Sequence, residues 1–447
     1  MTRYEELMHD IERKIEDGRI RGGQKLPSIR EASVSYACSA STVIRAYAEL
    51  EKRHRLYSIP QSGYYAVLQR PEETVESKGS ALNFASVAPD PEVFPYLDFQ
   101  HCINKAIDRY RTHLFTYGTP QGLPSLLQVL SKHLASYQVF APANRIAVVS
   151  GVQQALSILT TMPFPSGKQA VLVEQPTYAI FVQMLELFGI PVRGIARTDA
   201  GIDLDELETL FRTGDIKFFY TIPRFQNPLG ASYPNRTKKS IAELAKRYDV
   251  IVVEDDFLAD LETDPKADPI YAYAPSHVVY LKSYSKIVFP GLRVGVAVLP
   301  PDLQETFSLH KRFSDIDSSM LSQAALEIYI QSGMFERRKR KISDTYRSRM
   351  LRLAQALDAF NDTADARHLR LEAGMHTHLE LPSSIRQQTL ISRLAKRKIE
   401  VRGSEGCFLP SFANRSILQL SVSQLDEDRI EEGVAAIFAE IRGMRRG

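Results

Sequence analysis

A chain of 447 residues is too long for one small domain and long enough to bury a large core. Its hydrophobic fraction of 44% and charged fraction of 24% are ordinary for a soluble globular protein. A net charge of +3 neither favours nor excludes a nucleic-acid partner, since a binding module can be locally basic within a neutral chain. No N-terminal apolar run suggests a signal peptide, and no stretch is apolar enough to span a bilayer, so a cytoplasmic location is expected and a membrane one is not. Cys38, Cys102 and Cys407 are scattered, without disulfide or metal spacing, which suits a reducing compartment and predicts no metal.

Tyr4 to Asp17 carries Leu7, Ile11 and Ile15 at helical spacing, and Gly18 stops that helix. Ser28 with Glu31 three residues on reads as a capping box opening a second helix. Ser39 or Ser41 caps a third, with Val43, Ile44, Tyr47 and Leu50 expected inward. Tyr57 to Ile59 and Tyr64 to Val67 form a hairpin through Pro60-Gln61-Ser62-Gly63. Three helices and a hairpin make a winged helix-turn-helix over residues 1–68, which would place the third helix in the major groove of double-stranded DNA. Arg30, Ser41, Thr42 and Arg45 are the residues expected to reach phosphates or base edges. Leu26-Pro27-Ser28-x-Arg30-Glu31, Ser41-Thr42-Val43, Arg45-Ala46-Tyr47-x-x-Leu50-Glu51 and Ser62-Gly63 resemble the GntR family of bacterial regulators. Two positions depart from that pattern. Ala40 stands where the family usually has arginine, and no glycine ends the third helix, leaving the turn to His54 or a neighbour.

Residues 69–82 are polar, charged and without periodicity, as a linker is. From residue 83 onward, strands and helices alternate. Strand patterns at Arg145 to Ser150, Gln169 to Glu174, Lys217 to Ile222, Val250 to Val253 and Val278 to Leu281 predict a mostly parallel α/β sheet. Ligands bind beyond the carboxyl ends of such strands. Ser150, Tyr178, Asn227, Asp255 and Lys286 fall at those ends, read here as five consecutive ones. A strand running into Gly151-Val152 at a helix start favours an anion. Ser283, Ser285 and Lys286, with Arg293 beyond, suit an aldehyde cofactor that carries a phosphate: the lysine forms a Schiff base, and the hydroxyls and guanidinium hold the phosphate. Asp255 can keep a pyridinium nitrogen protonated, Asn227 can donate to the ring's phenolic oxygen, and Tyr178 can stack on the ring.

Tyr117-x-x-Pro120-x-Gly122, Ser150-Gly151-x-Gln153-Gln154, Pro176-Thr177-Tyr178, Gln226-Asn227-Pro228-x-Gly230, Glu254-Asp255-Asp256 and Ser283-x-Ser285-Lys286 resemble the fold-type I aminotransferases over residues 83–447. A GntR-like head on such a body resembles the MocR-type regulators. The resemblance implies pyridoxal 5'-phosphate on Lys286, Asp255 facing the ring nitrogen, and a homodimer in which Tyr117 reaches the phosphate of the neighbouring subunit.

Three departures favour sensing over turnover. Phe257 replaces a tyrosine, and Leu229 replaces a threonine or serine. Gln419 stands where aminotransferases carry the arginine that clamps a substrate's α-carboxylate, with Arg415 as the nearby substitute. Gln419 therefore predicts an effector other than a common α-amino acid: an extended amine, an amino-acid derivative, or pyridoxal phosphate itself. A working aminotransferase with an accessory head is the alternative. The basic run Arg337 to Lys341 reads either as a solvated helix face or as a second DNA surface.

Overall fold

The computed structural model describes residues 3–53, 55–59, 62–67, 81–264, 266–361, 365–371, 373–412 and 415–446. Met1–Ser80 and Ala81–Gly447 form two units. Nearly all of the expected linker, residues 69–82, lies outside the described residues, as do His54 and the hairpin residues Pro60 and Gln61.

In the first unit, apolar spacing gives the helix Arg3–Glu16 a buried stripe of Leu7, Met8, Ile11 and Ile15. The helix Ile29–Ser35 opens on the expected capping box: the Ser28 N–H donates to the Glu31 carboxylate at 2.7 Å, and the Glu31 N–H donates to the Ser28 hydroxyl at 3.3 Å. Ser39, not Ser41, caps the third helix, Ala40–Lys52, by accepting the Thr42 N–H at 3.2 Å. Arg53 closes that helix. Val43, Ala46, Tyr47 and Leu50 are buried against the other two helices. Ile44 is a correction: it is 48% exposed, because a helix buries one stripe and Ala46 takes the inward place. Strands Leu56–Ile59 and Gly63–Ala66 pair antiparallel as the hairpin.

The second unit is built on a seven-stranded sheet. Its order is Ile146–Val149, Gly295–Val298, Val278–Ser283, Ile251–Asp255, Ile216–Thr221, Ala170–Gln175 and Val192–Ala196. All run parallel except Gly295–Val298, which is antiparallel to both neighbours. The inner strands read as largely apolar runs because both faces are covered, whereas the edge strand Val192–Ala196 exposes Arg193 and Ala196. Side chains alternate between two cores: Leu172, Phe219, Val252 and Val278 on one face, Val173, Phe218, Val253 and Val279 on the other. Val192–Ala196 and Gly295–Val298 were not expected. The first intervenes in sequence between the strands preceding Tyr178 and Asn227, so the five strand ends are not consecutive. A smaller antiparallel sheet orders Arg367–His368, His376–Glu380, Ile417–Ser421 and Arg402–Gly403. Among the described residues no helix is long and apolar enough to cross a membrane.

The basic run lies on the helix Met334–Phe360 and is neither wholly solvated nor one uniform surface. Lys339 turns inward onto the Tyr137 ring, 4.4 Å from its centroid, and buries its stem there. Two guanidinium nitrogens of Arg338 are buried as well. Arg337, Arg340 and Lys341 remain exposed.

Candidate functional site

The carboxyl ends of the parallel strands open into a cavity of about 310 Å³, within the range of small-molecule sites. Gly151, Val152, Tyr178, Asn227, Asp255, Ser283, Ser285, Lys286 and Arg293 all line it. Gly151 and Val152 open a helix, Tyr178 precedes one, and Asp255 and Ser283 end buried strands, with Ser285 and Lys286 just beyond. Asn227 lies in the loop after Ile216–Thr221, and Arg293 precedes the antiparallel strand Gly295–Val298. Val87, Ile180, Ile222 and Phe257 supply apolar wall.

The acidic run separates into three roles. Glu254 accepts the N–H groups of Ile270 at 2.9 Å and Tyr271 at 2.8 Å. Asp256 pairs with Arg224 at 2.6 Å and accepts the Tyr280 hydroxyl at 2.8 Å. Only Asp255 faces the cavity. Its Oδ2 accepts the Tyr220 hydroxyl at 2.9 Å, while its buried Oδ1 has no partner. Burial pushes the Asp255 carboxyl up to about 7; the Tyr220 hydrogen bond opposes that shift and the Asp256 charge adds to it. A buried carboxylate oxygen left without a donor suits a protonated ring nitrogen.

Lys286 donates from Nζ to the Val87 carbonyl at 2.8 Å. Burial pushes its amine down to about 8, with Asp255 opposing and Arg402 assisting. Arg293 donates to the Ser150 carbonyl at 2.7 Å, so its guanidinium stands at the start of the helix Val152–Thr161. Gly151 has φ +84°, and a Cβ there would fall 2.6 Å from Arg293 Nη2, so only glycine leaves this cradle open. Free helix N–H groups, a guanidinium and two serine hydroxyls line this end of the cavity, a donor set that suits a phosphate. Asn227 accepts the Gln419 side-chain amide at 3.1 Å on its Oδ1, which leaves its own NH₂ to donate. Tyr178 lies directly before the helix Ala179–Leu187, and burial followed by the Asp255 charge pushes its hydroxyl pKa up.

Four expected residues lie elsewhere. The Ser150 hydroxyl donates to Asp315 at 2.8 Å and does not line the cavity; only its carbonyl acts, by holding Arg293. Tyr117 is 82% exposed and does not line this chain's cavity. Gln419 is 2% exposed and sits behind Asn227. Arg415 donates to the Arg197 carbonyl at 2.6 Å and does not line the cavity. Two contributors were missed. Tyr220, which holds Asp255, lies inside an apolar strand and carries no local signal. Arg402, a further cationic residue of the cavity, becomes visible only when its strand is paired with Ile417–Ser421.

On the first unit, Arg30 and Ser41 are exposed and Thr42 is half-buried. The Ser41 and Thr42 hydroxyls each lie 2.8 Å from that of the cap residue Ser39. Arg45 rests on the Tyr4 ring, 4.2 Å from its centroid, which orders the guanidinium while the residue stays exposed.

Residues 92–437 match the family "Aminotransferase class I and II", and residues 3–65 match "Bacterial regulatory proteins, gntR family". The chain is 49% identical over 446 residues to the uncharacterized HTH-type transcriptional regulator YcxD of Bacillus subtilis, covering 99% of this chain and 100% of that one. Among solved structures it resembles the kynurenine aminotransferase of Pyrococcus horikoshii in complex with PMP, with TM-score 0.75 and 27% identity over 82% of this chain and 92% of that one. It also resembles LysN, an α-aminoadipate aminotransferase of Thermus thermophilus complexed with N-(5'-phosphopyridoxyl)-L-leucine, with TM-score 0.74 and 25% identity over 82% and 93%.

Proposed function

The chain belongs to the aminotransferase class I and II family and, through its gntR-type head, to the MocR-type transcriptional regulators, and from that premise we propose that it senses a small amine through its cofactor site. Its cofactor is pyridoxal 5'-phosphate. The reading places a DNA-binding module in residues 1–68, a linker in 69–82 and the sensor in 83–447, working as a cytoplasmic homodimer. Exposed Tyr96, Phe115, Tyr117 and Phe313 offer apolar surface to a partner subunit, with Tyr117 directed at the partner's cofactor.

The observation that carries the reading is the meeting of Lys286 and Asp255 in one cavity, in a chain whose residues 3–65 match a DNA-binding family. When bound, the cofactor supplies an aldehyde that exchanges a lysine for an effector amine. Asp255 holds a proton at the ring nitrogen. Asn227 donates to the phenolic oxygen from an amide that Gln419 orients. Gly151, Val152, Ser283, Ser285 and Arg293 hold the phosphate, and Tyr178 covers the ring. Phe257 cannot donate a hydrogen bond to the phenolic oxygen. The effector acts by binding one state of the regulator more tightly than the other. In the test, an amine effector changes operator affinity in the cofactor-loaded protein and leaves Lys286→Ala unaffected. Rapid transamination of common amino acids by the wild type would instead favour the enzyme reading, which the intact Lys286–Asp255 pair keeps in view.

On DNA, Arg30 contacts phosphate, and Ser41, Thr42 and Arg45 approach the groove. Arg30→Ala is expected to weaken binding to all duplexes alike and to reduce the salt slope by about 1, the signature of one lost phosphate contact. Fluorescence anisotropy across a salt series measures it. Unchanged affinity and slope would remove Arg30 from the interface.

A further inference from the structure

We propose that Arg402 receives the carboxylate of an amino-acid effector, supplying from a neighbouring strand the guanidinium that the Gln419 position lacks. The proposal rests on the cofactor reading above and adds the effector's chemical class to it.

Among the described residues the cavity is lined by three cationic ones, Lys286, Arg293 and Arg402, and one carboxylate, Asp255. Three of the four are already accounted for. Asp255 is held by Tyr220 and faces the place of a ring nitrogen. Arg293 is fixed on the Ser150 carbonyl at the helix start, the phosphate end. Lys286 is the amine that joins the cofactor. Arg402 is left over: its side chain, exposed at the cavity mouth, makes no hydrogen bond and no ion pair among the described residues. A guanidinium at the rim of a cavity without a matching carboxylate is a site for an anion, and its planar fork pairs with a carboxylate through two parallel hydrogen bonds.

Its place in the fold is specific. Arg402 and Gln419 are direct partners in an antiparallel pair, so their side chains leave the same face of the small sheet. Gln419 is buried and donates one amide N–H to Asn227 at 3.1 Å. It therefore acts as a positioning residue, and as a neutral amide it offers no guanidinium to a carboxylate. Arg402, one strand over, lines the cavity in its stead. Its charge is also felt at Lys286, where it helps to depress the amine. An anion seated on Arg402 would cancel that effect. A simple amino acid, with one amine for the cofactor and one carboxylate for Arg402, thus returns as an effector class despite Gln419.

The test uses the full chain loaded with pyridoxal phosphate and follows the cofactor's visible spectrum. L-Alanine, D-alanine and ethylamine are titrated, with acetate as a carboxylate that cannot react. The wild type should bind at least one enantiomer of alanine about ten- to a hundredfold more tightly than ethylamine, the usual worth of a hydrogen bond to a charged group. Acetate should raise the pH at which the chromophore titrates. Arg402→Ala and Arg402→Gln should lose both the preference and the acetate shift, and Arg402→Lys should keep part of each. A normal chromophore in these variants shows that the pocket has folded. Preference and shift both retained in Arg402→Ala would overturn the proposal, as would a wild type that favours ethylamine; the chromophore itself would leave the cofactor reading standing. Absence of any chromophore in the wild type would instead strike the cofactor reading and take this proposal with it.

Discussion

Lys286→Ala should abolish the visible band of the lysine-bound cofactor and leave nothing for borohydride to fix covalently on the chain. The effect is expected to be complete because, among the described residues, no second lysine lines the cavity. The structure also predicts how the wild type loads. Only the neutral amine attacks an aldehyde. Burial pushes the Lys286 amine down to about 8. At pH 7 roughly one molecule in ten then carries the nucleophile, against about one in three thousand for an ordinary lysine. Loading should therefore quicken as pH rises toward 8 and level off above it, where the neutral form is already dominant. Stopped-flow absorbance over that range measures both. A loading rate still rising steeply beyond pH 9 would mean that the amine is not depressed. Borohydride labelling of a different lysine in the wild type would move the site.

Asp255→Asn is the second large effect, and it should change sign with the cofactor. In the loaded protein, the variant loses a charge-assisted hydrogen bond to the ring nitrogen, about 1.5–3 kcal/mol, so the cofactor should dissociate about ten- to a hundredfold more readily. Without cofactor the order reverses. Burial raises the folded carboxyl to about 7, from an ordinary value near 3.8. Between those values the folded chain keeps a proton that the unfolded chain releases, so wild-type stability falls as pH rises through the window. Asparagine does not titrate. The two cofactor-free proteins should show their smallest difference near pH 4, and the variant should gain on the wild type up to about pH 8, by at most about 4 kcal/mol if the whole shift is realised. Glu254 is also raised to about 7, chiefly by burial and then by Asp256, but it is common to both proteins and cancels in the difference. Denaturant melts from pH 4 to 8, with and without cofactor, test this. Parallel pH profiles for the two cofactor-free proteins would exclude Asp255 as the titrating group.

Features that depend on near neighbours in the chain could be read before any packing was known. The stripe Leu7–Ile11–Ile15, the Ser28–Glu31 capping box and the hairpin all come from contacts within a few residues, and all are present. Tyr178, Asn227, Asp255 and Lys286 were legible for a related reason: each ends an apolar run or lies in the loop that leaves one, and in a parallel sheet the carboxyl ends of such runs converge on one crevice. Tertiary structure decided which way side chains point once they arrive. Ser150 has the right place and the wrong direction, because Asp315, 165 residues on, takes its hydroxyl. Ile44 has a helical spacing compatible with burial, yet the packing of Val43, Ala46 and Tyr47 against the other two helices leaves it outside. Gln419 was visible as a missing arginine, but its bond to Asn227 was not, and neither was Arg402 beside it. Those relations pass through strand register. Register is set by cross-strand hydrogen bonding and by which face is buried, and pairing shifted by one residue would send Arg402 to the opposite face.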